Sequence, residues 1–149
     1  MNTITNLSLE NIQVSSQEPV KIFLSYARPD KEKVENIYQN LSDADFKPWM
    51  DTKDIPGGAI WRREIQEAIR CSDFFFACLS ANSVDRRGVL QEEIKDALDI
   101  CRQKLNSDIY LIPVRLEDCK VIESLRDFQW VDLFKDDGWT RLVETIQEG

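Results

Sequence analysis

Two adjacent acids, Glu92 and Glu93, stand at the head of a segment whose apolar residues Leu90, Ile94, Ala97, Leu98 and Cys101 recur at helical spacing. A carboxylate in such a place can move a proton or stabilise a developing positive charge. The chain contains no histidine. That excludes Ser-His-Asp and Cys-His nucleophile systems, a histidine general base and a metal site of the H-E-x-x-H kind. Carboxylates, hydroxyls, thiols, lysine and arginine must carry any reaction. With no side chain that ordinarily titrates near neutrality, a rate profile flat between about pH 6 and 8 is expected.

A helical wheel separates the two acids. Glu92 lies about 175° from the centre of the apolar stripe and should be solvated, whereas Glu93 lies about 85° away, at its flank. A carboxylate at that flank can lean into a crevice, partly desolvated, or pair with a helix neighbour as an ordinary boundary residue. Arg28, Arg62, Arg63, Arg86 and Arg87 form a local basic set; most read as a solvated face, with one or two available to neutralise a diphosphate. Tyr26, Trp49 and Trp61 offer flat surfaces for a base, although Trp61 also fits the buried stripe of its own helix. Cys71, Cys78, Cys101 and Cys119 are too irregularly spaced for a zinc or C-x-x-C redox site. The first three lie in or beside apolar segments and read as buried thiols in a reducing compartment. No metal is expected.

These residues must be positioned by a single domain, the size to which 149 residues correspond. Residues 1–19 are polar and aperiodic and read as a flexible leader or linker, with the domain over 20–149. From there apolar runs at 20–26, 46–50, 74–80, 109–114 and 128–131 alternate with amphipathic stretches. That alternation predicts an α/β fold: a flavodoxin-like, doubly wound, five-stranded parallel sheet of order 2-1-3-4-5 flanked by helices. Ligands bind such sheets at the switch point, here the loops at 25–30 and 80–88. The strand ends facing it read Ser25-Tyr26 and Leu79-Ser80, which lack the acids of a magnesium-dependent phosphoacceptor site. The five glycines form neither a P-loop nor a G-x-G-x-x-G turn.

A net charge of −8 argues against nucleic acid and anionic membrane as partners. No apolar run approaches the roughly 20 residues that span a bilayer, and no export signal precedes Lys21, the first basic residue. A cytoplasmic location is expected.

The run KIFLSYARPD at 21–30, the segment from FKPWMDTKDIPGG to LSANSV at 46–84, and GVLQEEIKDALD at 88–99 resemble the Toll/interleukin receptor (TIR) domain, in its bacterial form. The likeness extends to the closing FQWVDLFKDDGWTRLVETI. It implies the same sheet, and an activity found in many members: NAD+ glycohydrolase or cyclase, cleaving the nicotinamide–ribose bond, in defence or cell-death signalling. Other members are non-catalytic self-association modules. The enzymatic members use a glutamate in the helix after the third strand, which matches Glu93, while an ungapped register from Ser83 would place Glu92 there. Ser25, Tyr26, Arg28, Trp61 and Ser83 are the expected substrate contacts, NAD+ is a substrate, and no cofactor is implied. Many active members carry a tryptophan four residues before the glutamate, where this chain has Val89. Either Tyr26 or Trp61 covers the nicotinamide instead, or the enzyme is weak or inactive. The resemblance also implies a homo-oligomer and a sensor domain, fused or separate. The expected self-association loop is 51–59, with Asp51 and Asp54 leading to Ile55, stiffened by Pro56 and brought close to a neighbour by Gly57 and Gly58.

Overall fold

A computed structural model describes residues 18–84, 89–103 and 110–148. Its strands are β1 (Lys21–Ser25), β2 (Lys47–Trp49), β3 (Phe74–Leu79), β4 (Leu111–Arg115) and β5 (Val131–Asp132). They pair in parallel in the order β2-β1-β3-β4-β5, as the alternation of the sequence predicts. The helices are α1 (Lys31–Asp43), α2 (Asp51–Asp54), α3 (Trp61–Cys71), α4 (Ala81–Val84), α5 (Val89–Gln103) and α6 (Gly138–Glu148). None is long and apolar enough to cross a membrane.

β3, with the sequence FFFACL, is buried at all six positions, because a central parallel strand is covered on both faces. Alternate residues divide between two cores. Ile22, Leu24, Phe74 and Phe76 meet Val34, Ile37 and Leu41 of α1 with Leu142 and Ile146 of α6. Phe23, Phe75 and Leu79 meet Ile65 and Ile69 of α3 with Leu90, Ile94 and Ala97 of α5. On this second face Trp49 stacks on Phe23 at 5.0 Å and Phe23 on Phe75 at 5.2 Å, so Trp49 serves the core rather than a ligand.

Three local readings change. The fifth strand begins at Val131, not Phe128, because Phe128 still closes a turn on the Leu125 carbonyl after the 3-10 turn Glu123–Leu125. Pro29 and Asp30, a pair that in sequence predicts a helix start, belong to a 3-10 turn, Arg28–Asp30, ahead of α1. Cys71 is exposed at the end of α3, its thiol donating to Glu67 Oε1 at 3.2 Å, since two residues beyond the buried Ile69 a helix turns its side chain away from the core. Cys78 is buried as expected and Cys101 is half-buried.

Candidate active site

The carboxyl end of β1 divides two ways. Ser25 is fully buried, and its hydroxyl donates to Glu93 Oε1 of α5 at 2.6 Å. The next side chain, Tyr26, leaves toward the opposite side, where its hydroxyl donates to Asp51 Oδ1 of α2 at 2.6 Å. Between them opens a cleft of about 600 Å³, lined by Tyr26, Arg28, Lys31, Asp51, Trp61 and Glu93 over an apolar base that includes Phe23, Ile65 and Leu90. That volume lies within the range of small-molecule sites. A second hollow of about 390 Å³ between α3 and α5 shares Trp61, Ile65 and Glu93 with it, and adds Arg62, Glu92, Lys95, Asp96 and Asp99.

Glu93 is 7% exposed. Its Oε1 is held by Ser25, whereas Oε2 accepts no hydrogen bond from a described residue. No sealed side-chain oxygen or nitrogen among the described residues lacks a partner, so Oε2 is accessible, and Glu93 lines both the cleft and the adjoining hollow. Burial raises the Glu93 pKa to about 8; the Ser25 hydrogen bond opposes this, and the charges of Asp51, Asp96 and Glu92 add to it. The expectation of a profile without a titrating group near neutrality therefore fails at this residue. Glu92, one position away, is exposed.

The structure brings Tyr26, Arg28, Trp61 and Glu93 together around one cleft and sets two expected contacts apart. Ser25 lies behind Glu93 and is not among the residues lining the cleft. Ser83 is fully buried, its hydroxyl donating to the Ser80 carbonyl at 2.8 Å and accepting from the Ser80 amide at 2.8 Å; it closes the turn into α4, and its only proton is committed there. Trp61 corrects the stripe reading: it is 50% exposed and lines the cleft, one helical turn ahead of Ile65, the first buried residue of α3. Arg62 faces the second hollow, Arg63 is exposed, and Arg86 and Arg87 lie outside the described residues.

The loop after β2 is fastened at its start. Asp54 accepts from the Met50 amide at 2.9 Å and from Tyr38 at 3.2 Å. Ile55, in the expected self-association loop, is half-buried against the second core and lines the cleft. Pro56 to Ala59 form a turn whose third residue, Gly58, has φ +85°, a conformation that favours glycine. The exposed apolar residues beyond it are Ile60, at 60% exposure, and Trp61.

Asp30 had no assigned role beyond a helix start. It is 2% exposed and accepts from Ser80 Oγ at 2.5 Å and Asn82 Nδ2 at 3.0 Å. This bridge between the loops after β1 and β3 fixes the wall that carries Tyr26 and Arg28. Only its place beside Pro29 at the switch point could have signalled it.

The family model for the TIR domain matches residues 22–146. The chain belongs to the TIR domain family. No protein of curated function matches this TIR domain in sequence. Among solved structures it is similar to the TIR domain of the Toll-related receptor TRR-2 from Hydra magnipapillata, with a TM-score of 0.70 and 21% identity over 85% of this chain and 97% of that one. The TIR domains of the activated Roq1 resistosome, which directly recognises the pathogen effector XopQ, give 0.58 and 22% over 87% and 82%. A Clostridium botulinum CMP N-glycosidase, BcmB, gives 0.54 and 16% over 84% and 98%. At such identities these likenesses establish the fold.

Proposed function

We propose that this TIR domain cleaves the N-glycosidic bond between nicotinamide and ribose in NAD+. The observation that carries the reading is Glu93: a buried carboxyl with one oxygen held by protein and the other left unbonded by the described residues, on the wall of a nucleotide-sized cleft. When the C1′–N bond breaks, its electron pair leaves with neutral nicotinamide and positive charge develops on the ribose. Oε2 of the Glu93 carboxylate offsets that charge and can accept a hydrogen bond from a ribose hydroxyl. Attack by water at C1′, with loss of a proton, gives ADP-ribose; attack by an atom of the same ADP-ribosyl group gives a cyclic product. Arg28 and Lys31 stand where they can neutralise the diphosphate, and Trp61 offers the flat face that Val89 does not. A CMP N-glycosidase on the same fold is consistent with this class of bond cleavage. The test is nicotinamide release from NAD+ by the purified domain, with products identified by mass spectrometry; no release at any protein concentration would leave only the self-association role.

Because the free enzyme must bear Glu93 as the carboxylate, kcat/KM is expected to rise about tenfold per pH unit below about 8 and level off above it. Cationic substrate favours the carboxylate, so kcat should bend at lower pH. A kcat/KM profile flat from pH 6 to 9 would contradict this.

Assembly belongs to the same proposal. An open cleft stabilises charge poorly, and Ile60 beside the loop at 51–59 presents apolar surface to a second copy. Ile60 occupies the N-cap of α3 without a capping side chain. Ile60→Asp therefore adds a favourable cap while placing charge on the contact. The variant should fold normally yet lose the rise of specific activity with protein concentration. Retention of that rise would remove this surface from the mechanism.

A further inference from the structure

Resting on the assignment of Glu93, we propose that Ser25 is its positioning residue: the Ser25 hydroxyl holds Oε1 so that Oε2 alone is presented to the cleft. Ser25 is fully buried at the end of β1, in register with Ala77 of β3, so its place is set by the sheet rather than by a loop. The contact is short, at 2.6 Å, as expected for a hydroxyl donating to a carboxylate. It is also the only hydrogen bond that a described residue gives Glu93. With Oε1 fixed, the rotation of the carboxyl group is fixed and Oε2 takes one direction. A side chain reached by a single rigid donor is oriented by that donor, and the required precision of a reacting group is about half an ångström. Ser25 touches no cleft space itself, so it acts through Glu93 and not on substrate.

The charges around Glu93 come from several elements. Asp51 of α2 and Glu92 and Asp96 of its own helix disfavour its ionised form, and Tyr26, just after β1, is close enough for its own ionisation to be opposed by Glu93. Arg62 of α3 and Lys95 of α5 line the neighbouring hollow. None of these replaces the hydroxyl as a donor to the Glu93 carboxylate.

The experiment is a titration of Glu93 by NMR on protein labelled with 13C at glutamate side-chain carboxyl carbons, its signal assigned by loss in Glu93→Gln. Wild type, Ser25→Ala and Ser25→Thr are compared, with nicotinamide release measured in parallel. Ser25→Ala should move the Glu93 midpoint up by about one pH unit, as expected for loss of a hydrogen bond to the charged form. It should also lower kcat about tenfold or more even above that midpoint, where ionisation is complete, because Oε2 is no longer aimed. Ser25→Thr keeps the hydroxyl and should restore both. An Ala variant that folds with an unmoved Glu93 midpoint would overturn the proposal. So would a Thr variant that is folded and behaves as Ala. The NMR midpoint reads the Ser25–Glu93 link whether or not NAD+ is the substrate, so absence of nicotinamide release from wild type would defeat the functional reading and leave this contact to be judged by the titration.

Discussion

Replacing Glu93 by glutamine is expected to lower nicotinamide release by a factor of about a hundred or more, while Glu92→Gln leaves it within about threefold of wild type. Glutamine has the shape of glutamate and its amide oxygen can still accept from Ser25, so folding and the cleft are preserved. What it lacks is the negative charge that offsets the positive ribose as nicotinamide departs. That loss is strongly felt because Glu93 is buried. Glu92 is exposed on the adjoining hollow, and its charge is largely screened by solvent. If anything, removing it eases ionisation of Glu93, because Glu92 is among the charges that oppose it. The measurement is initial rate at saturating NAD+ for the three proteins at one pH above 8. A reversed ranking would move the site to Glu92; a fully active Glu93→Gln would end the glycosidase reading.

Much of this arrangement is legible in the sequence because it follows from periodicity. Helical spacing alone separates Glu93 from Glu92, since the stripe from Leu90 to Cys101 defines which side of α5 meets the sheet. The run from Phe74 to Leu79 announces a strand covered on both faces, and with it the parallel sheet and its switch point. Errors gather at the ends of elements. Trp61 and Cys71 belong to the two ends of α3, and the apolar stripe does not say that burial is confined to Ile65 and Ile69 between them. Hydroxyls are a second blind spot. Ser25 and Ser83 look equally suited to substrate, and only three-dimensional pairing shows one donating to Glu93 and the other closing its own turn. The buried Asp30 and the raised pKa of Glu93 share that origin, because neither burial nor the convergence of Asp51, Asp96 and Glu92 is encoded at short range.

The same substitution, Glu93→Gln, should make the domain more stable, and by an amount set by pH. A carboxyl titrates near 4.5 when free and near 8 in the folded domain. Below about pH 4.5 it is protonated in both states, and the variant should match wild type. Between about 4.5 and 8 the unfolded chain gives up the proton while the folded domain keeps it, so wild-type stability falls by about 1.4 kcal/mol for each pH unit. Above about 8 both states are ionised and the deficit is constant, on the order of 5 kcal/mol. Glutamine is neutral throughout and avoids this cost. The cause is the one that fits Glu93 for charge stabilisation: the site holds a carboxylate where water would otherwise solvate it, and an empty cleft gives that charge nothing to offset. Urea unfolding of both proteins at pH 4, 6.5 and 8.5 measures the difference directly. The midpoint of Glu93→Gln should coincide with wild type at pH 4, exceed it at 6.5 and exceed it further at 8.5. A difference independent of pH would mean that Glu93 is ionised at its ordinary value in the folded domain, and the kcat/KM profile should then show no bend near 8.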